Sequence, residues 1–531
     1  MSRVPAPESL LALVGADATT VPEAFAARVA ASPGRDFLLF DGQGWTYREA
    51  DDRVRRWAGF LAPLMGPARR VASYITNQPA AMWTWLGTAW AGGVYAGLNR
   101  LHRGAVLEDM LKRSRASVLV TESSATDELG AIDRSGLSTI VFADSVPDLA
   151  RAWPQRVVSA RDVDDADAVA MASSKPGAAA SILYTSGTTG RSKAALIPHN
   201  QICRGAARLV DSFGYRPGDV FHNWLPLYHL GGQMHMTMTA IIAGGTVALF
   251  PRFSRSRFWQ EVAEVKATVI CGFSAIVQFL WSLPPGPQDK DNTLRLGLIS
   301  GIPRDIHRDF EARFGMTLHE EYGGTEASAV TVPERERPAP LGTCGRASPE
   351  FEIAIVDAND RIVPPGTLGE IVMRPRVPDV MFQGYEDDGA ATVEAWRNLW
   401  FHWGDLGEMD AQGVLTYKGR LKHAIRRRGE NISAYEVERI LSTHPDVEEV
   451  AVLGVPSPLG EEDVKAVIVA KGGRTLDGQA IHRFAAERMA RFMVPRYIEF
   501  RDALPYTNLG KLERDKLKDM GARTWDAERD R

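Results

Sequence analysis

Residues 185–193, Thr-Ser-Gly-Thr-Thr-Gly-Arg-Ser-Lys, combine five hydroxyl side chains, two glycines and a terminal lysine. Hydroxyls donate to phosphate oxygens. Glycines let a backbone approach a ligand closely, and Lys193 adds positive charge. The run leaves a strand-like stretch at 182–184, where a phosphate-binding loop is well placed. It is not a Walker A loop, because no Gly-Lys-Ser/Thr closes it. The plain alternative is a polar surface turn, and the density of hydroxyls and glycines favours the phosphate loop.

Other residues with chemical potential lie far downstream. Glu326 ends Tyr322-Gly-Gly-Thr-Glu, Asp405 follows Gly404, and Lys511 follows Gly510. A carboxylate offers hard oxygens to a divalent cation and acceptor-only atoms to hydroxyls. A lysine can offset charge where two anions must meet. Taken singly, each reads as a surface acid or a surface lysine. His229, in Leu225-Pro-Leu-Tyr-His229, would singly be a core histidine.

The elements that must position these groups alternate. Apolar runs at 71–75, 117–121, 139–142, 182–184, 247–250, 269–271 and 296–299 read as strands. Residues 48–64, 257–265 and 304–313 read as helices. This alternation predicts an α/β fold with layered, mostly parallel sheets. From about Arg346 shorter strands follow at 352–356, 369–373 and 414–417, a β-rich subdomain. Beyond the basic stretch 419–429 the pattern is compact α+β: helices at 434–443 and 477–491, strands at 449–455 and 464–470. The expected division is a large domain at 1–419, a hinge at 420–423 and a small mobile domain at 424–531.

Composition narrows the class. The chain has 531 residues, 45% hydrophobic and 24% charged, a globular balance. Its 62 basic and 66 acidic residues leave a net charge of −4, which gives no case for nucleic-acid binding. The uncharged stretches 71–99 and 220–251 contain Asn77, Gln78, His222 and Gln233, too polar for membrane spans. Three scattered cysteines make no zinc spacing or disulfide framework, and residues 1–25 lack a secretory pattern. The expected location is the cytoplasm.

Six motifs in order, from the loop at 184–193 to Pro505-Tyr-Thr-Asn-Leu-Gly-Lys511, resemble those of the adenylate-forming superfamily. That superfamily comprises acyl-CoA synthetases, peptide-synthetase adenylation domains and luciferases. The other four are Leu225–His229, Tyr322–Glu326, Gly404-Asp405 and Gly419-Arg-Leu-Lys422. Arg397-Asn-Leu-Trp-Phe-His402 and the 426–433 run look most like carnitine/crotonobetaine-type CoA ligases.

The resemblance implies that ATP activates an acid as its adenylate, releasing pyrophosphate, and that coenzyme A then takes the acyl group. It makes Glu326 the Mg²⁺ contact and Lys511 the bridge between substrate carboxylate and α-phosphate. Thr185, Ser186, Gly187, Thr188, Thr189, Gly190 and Lys193 would hold phosphates, and Thr325 would donate to the α-phosphate. Tyr322 and Gly323, with the backbone of Ser300, Gly301 and Ile302, would face adenine, while Asp405 and Arg420 would face ribose or phosphate. Lys422 would be the pivot of a domain rotation, and Gly429 would enter the thiol channel. His229 would gate the acyl pocket. Arg426, Arg427 and Arg428 are either contacts to coenzyme A phosphates or a solvated charged strand.

The implied acyl pocket comprises Trp224, His229, Gln233, His235, Met236, Met238, Phe273, Ser274, Gly324 and Ala327. Its polar and flat members suit a small polar or aromatic acid rather than a fatty tail. The sequence departs from the family pattern at Ser192, Ala194, His423 and Trp403, the last in place of the usual Thr beside Asp405. Trp403 and the polar pocket admit a second reading. In it the adenylate passes to a carrier-protein thiol or an amine, including nitrite activation that diazotises an aryl amine. The expected partner is a small-molecule acid, without nucleic acid or a membrane span. The family also admits a homodimer.

Overall fold

The computed structural model describes residues 19–185, 192–333, 339–427, 430–457, 461–472, 474–507 and 512–529. The chain forms two compact units. One is Met1–Glu352 with Pro375–Ala395, and the other is Ile353–Arg374 with Trp396–Arg531.

The first unit is built on two seven-stranded sheets. Their strands in chain order are β1 (Asp36–Phe40), β2 (Gln43–Thr46), β3 (Arg70–Tyr74), β4 (Val94–Gly97), β5 (Val118–Thr121), β6 (Thr139–Phe142) and β7 (Arg156–Ser159). There follow β8 (Ala179–Thr185), β9 (Lys193–Pro198), β10 (Val220–Asn223), β11 (Thr246–Leu249), β12 (Val269–Phe273), β13 (Leu296–Ser300) and β14 (Thr317–His319). One sheet runs β7-β6-β5-β3-β4-β8-β9 and the other β14-β13-β12-β10-β11-β1-β2. Each is parallel except for one antiparallel edge strand, β9 and β2 respectively. Strands β5, β6 and β11 are buried along their whole length, as apolar runs without alternation require.

The uncharged stretch 71–99 folds as strand, helix and strand. Its helix, Pro79–Trp90, begins on proline and buries every residue after it, so it carries no charge on any face. The helix expected at 48–64 spans Tyr47–Leu61. It starts there because Thr46 and Glu49 form a capping box. Among the described residues, no helix is long and apolar enough to cross a membrane.

The second unit holds a β-rich sheet and an α+β portion. The next strands in chain order are two short pairs, β15 (Gly323–Gly324) with β16 (Ser328–Ala329) and β17 (Thr331–Val332) with β18 (Arg346–Ala347), of the first unit. The β-rich sheet takes β19 (Phe351–Val356), β20 (Gly369–Pro375), β21 (Trp396–Arg397), β22 (Trp400–Met409) and β23 (Leu415–Arg420). A hairpin of β24 (Ala424–Arg427) and β25 (Glu430–Ser433) leads into a sheet of β26 (Val447–Pro456), β27 (Glu462–Ala470), β28 (Tyr497–Arg501) and β29 (Thr524–Asp526). Helices Ala434–Ser442 and Gly478–Ala486 bury Val437, Leu441, Ile481 and Ala485 in its core. The second helix is shorter than the expected 477–491. After Ala486 the chain turns, and Met489 and Met493 pack against the same core from beyond the helix end.

Candidate active site

In parallel sheets, ligands collect beyond the carboxyl ends of the strands. Here those ends are tied together. Asn77, beyond β3, donates to the carbonyls of Leu225 (2.9 Å) and Phe250 (3.3 Å), beyond β10 and β11. It also accepts from the Leu227 amide. A Cβ on Gly97, at the end of β4, would sit 2.5 Å from Tyr228 Cα, so only glycine admits that crossing.

Lys193 opens β9, directly opposite Thr185 on β8. Its Nζ lies 4.8 Å from the centre of the Tyr385 ring. The Tyr385 hydroxyl donates to Glu326 Oε1 at 2.9 Å. Glu326 is buried, in the turn of the β15–β16 hairpin, and its carbonyl accepts from the Phe382 amide at 2.7 Å. The hairpin is tight enough that a Cβ on Gly323 would fall 2.0 Å from the Ser328 carbonyl oxygen. Thr325, in the same turn, is half-buried, and its carbonyl accepts from Gln201. The lysine of the loop and the acid of the Tyr322–Glu326 motif thus meet on one tyrosine that sequence reasoning missed.

Ser300 and Gly301 are exposed at the end of β13, and Ile302 is buried behind them. Gly301 adopts φ +75° and donates to Glu320 Oε1 at 2.9 Å. Burial pushes the Glu320 carboxyl up to about 7, against the pull of the Gly301 and Ile302 amides. Tyr322 is nearly buried, and its amide donates to Thr331 Oγ1.

The residues proposed for the acyl pocket divide. His229, His235, Phe273, Ser274 and Gly324 keep partial exposure within a buried surround. Trp224 is almost buried, with Nε1 donating to the Cys271 carbonyl, and Met236, Met238 and Ala327 have no exposed surface. Gln233 is wholly buried. Its Oε1 accepts from Ser181 and its Nε2 donates to the Leu227 carbonyl, so it belongs to the packing behind the pocket rather than to its face. His229 Nδ1 accepts from the Gly231 amide at 3.0 Å, which leaves the ring proton of the neutral form on Nε2.

His235 lies on a π-helix, Gly231–Met238, that packs on β10 and β12, and it is the only residue of that turn with appreciable exposure. Such turns are rare and recur at functional sites. Its Nε2 is hydrogen-bonded to Glu321, a residue sequence reasoning did not single out. Behind the pair, Arg208 is buried against Glu350. Burial lowers its guanidinium to about 9, while Glu321 pulls the other way.

In the second unit, Asp405 and Arg420 are direct partners across β22 and β23. Trp403 and Gly404 form a bulge, since Ile371 pairs with Asp405 while the next residue, Val372, pairs with His402. Gly404 has φ +73°, and the bulge turns Asp405 to its buried position. Trp403 stands edge-on to Phe401, and its carbonyl accepts from Arg420. Arg427 is committed elsewhere: it pairs with Asp463 at 3.1 Å and donates to the carbonyls of Phe492 and Val494. It therefore fastens the hairpin and is not a free cation for coenzyme A.

Asp360, Glu370 and His402 cluster closely enough to suggest a metal site. The Arg397 guanidinium already lies among them, 3.3 Å from Glu370 and 2.9 Å from His402, so the cluster is an ion-pair network. Ser186, Gly187, Thr188, Thr189, Gly190, Gly429 and Lys511 lie outside the described residues, as does the side chain of Lys422.

The sequence profile described as AMP-binding enzyme matches residues 25–386, and that of the AMP-binding enzyme C-terminal domain matches 436–511. The indoleacetate–CoA ligase of Aromatoleum aromaticum is 30% identical over 501 residues, 92% of this chain and 96% of that protein. The crotonobetaine/carnitine–CoA ligase of Shigella flexneri is 28% identical over 483 residues, 89% of this chain and 93% of that protein. Among solved structures, ATP-bound MatB from Rhodopseudomonas palustris is similar with a TM-score of 0.83 at 27% identity, covering 94% of this chain and 98% of that one. The profile spans most of the chain and all three residues of the Lys193–Tyr385–Glu326 junction, and on that ground the chain belongs to the AMP-binding enzyme family, the adenylate-forming enzymes its motifs resemble.

Proposed function

We propose that this chain is an acid–CoA ligase. It activates a small acid with ATP, then passes the acyl group to the thiol of coenzyme A. The observation that carries the reading is the junction at which Tyr385 joins Lys193, beside the phosphate loop, to Glu326. The names of the curated relatives, matched over nearly their full length, support the same chemistry.

In the first step a substrate carboxylate oxygen attacks the α-phosphorus, and the bond to pyrophosphate breaks. Two anions must approach, so the site's main work is to offset charge and align the groups. Lys193 and the hydroxyls of 185–190 would hold phosphate oxygens, Thr325 would donate to the α-phosphate, and Lys511 would bridge it to the carboxylate. Tyr322 and the 300–302 backbone would face adenine, and Asp405 would accept from the ribose hydroxyls beside Arg420. Glu326, a carboxylate with one oxygen already oriented by Tyr385, fits a hard cation that takes one or two protein carboxylates plus substrate phosphates. It would hold Mg²⁺, which supplies positive charge when bound. In the second step the thiol sulfur attacks the acyl carbon and AMP leaves, with Lys422 and Gly429 serving that stage.

The half-exposed Phe273, Ser274, His229 and His235 suit a small polar or aromatic acid. Acid-dependent exchange of labelled pyrophosphate into ATP tests the first step. Exchange that requires an acid from a small aromatic and aliphatic panel supports the reading, and its absence with every acid contradicts it.

A further inference from the structure

Tyr385 lies outside every motif and 59 residues from Glu326, yet it contacts two of the groups that the proposed reaction needs. Its position is fixed from several sides. The Gln383 amide donates to the Leu196 carbonyl (2.9 Å), the Leu196 amide to the Gly384 carbonyl (3.0 Å), and the Glu386 amide to the Ala194 carbonyl (2.8 Å). Segment 383–386 is thereby hydrogen-bonded to β9, the strand that Lys193 begins. The Tyr385 amide donates to Thr392 Oγ1, and Glu386 is paired with Arg70 at 3.0 Å and Arg115 at 3.4 Å. On the other flank, the Phe382 amide holds the carbonyl of Glu326.

From that anchored backbone the side chain divides its contacts. The ring face takes the Lys193 ammonium, and the hydroxyl takes Glu326 Oε1. A cation over an aromatic face and a hydrogen bond to a carboxylate are each modest alone, but both gain weight in a buried setting. Tyr385 is itself buried, with Phe382 packed at 4.8 Å between ring centres.

We propose that Tyr385 is a positioning residue that sets Lys193 and Glu326 as one unit, its hydroxyl orienting the carboxylate and its ring holding the ammonium. The inference rests on the proposed roles of those two residues toward phosphate and Mg²⁺. Because the two contacts use different parts of one side chain, substitution separates them. Tyr385→Phe removes only the hydroxyl bond and keeps the ring and its packing. Tyr385→Leu removes both.

The test is ATP binding by titration calorimetry on the full chain, with and without Mg²⁺, followed by kcat and KM for AMP formation. For Tyr385→Phe, the Mg²⁺ concentration at half-maximal ATP binding should rise about tenfold, the scale of a lost hydrogen bond to a charged group. Metal-free ATP affinity should stay within about twofold of wild type. Tyr385→Leu should weaken metal-free ATP affinity as well, through Lys193. A Phe variant with the wild-type Mg²⁺ response would overturn the proposal, since a packing role needs no hydroxyl. So would Phe and Leu variants that lose both properties equally. A wild-type chain that binds no ATP would instead overturn the ligase reading, and this inference with it.

Discussion

Arg420 Nε lies 2.8 Å from Asp405 Oδ1, and the two residues are also cross-strand partners in the backbone register. The ion pair therefore fixes the orientation of a buried carboxylate from a half-exposed arginine. If Asp405 accepts from ribose hydroxyls, Asp405→Ala should weaken ATP binding at least about tenfold, as loss of a charged hydrogen-bond acceptor does. Calorimetric titration with ATP checks this, with GTP as a control for base-independent loss.

Two glycines should fail for different reasons. At Gly404 a Cβ meets nothing within 4 Å, so Gly404→Ala costs only the left-handed backbone, about 1–2 kcal/mol. At Gly323 the Cβ would collide with the Ser328 carbonyl, so the hairpin holding Glu326 must move. Urea denaturation and AMP-formation kinetics on both variants should show modest destabilisation for Gly404→Ala. Gly323→Ala should lose most activity.

Glu320 makes stability depend on pH. Its carboxyl titrates near 4.5 when exposed and is pushed up to about 7 by burial. Between those values the folded chain binds the extra proton, so the carboxyl's contribution is full below about 4.5 and is lost as pH rises toward 7. Glu320→Gln should gain stability relative to wild type across that window and hold the gain above it. Parallel denaturation midpoints from pH 5 to 8 would contradict this.

Lys511→Ala should separate the two steps. Adenylate formation should fall by about 10² or more, the scale of losing a charge-stabilising donor. Capture of a supplied acyl-adenylate by coenzyme A should change only a few-fold. Equal loss in both would show that Lys511 has no special part in the first step.

Much of this arrangement is legible in the sequence, because its signals are local. The strand at 139–142 is a bare apolar run, and the structure keeps its limits. The spacing within 185–193 and within 322–326 marks Lys193 and Glu326 without any coordinates. Tyr385 is not legible in this way. It reaches Glu326 across 59 residues, through pairing with the edge of β9, and Gly384-Tyr385 by itself is only an aromatic after a glycine. Gln233 misleads for the opposite reason. Its side chain looks fit for a polar ligand, but its partner Ser181 lies on a strand 52 residues upstream. The bulge at Trp403 is half legible, since Gly404 hints at it while the pairing of β20 with β22 decides it.

The most direct test of the ligase reading is mass spectrometry of the products formed from ATP, Mg²⁺ and a panel of small acids, with and without coenzyme A. An acid–CoA ligase yields AMP together with a new acyl-CoA, formed only when both an acid and coenzyme A are present. AMP release that ignores coenzyme A, or that requires an amine or nitrite instead, would contradict it and make Trp403 the next residue to change.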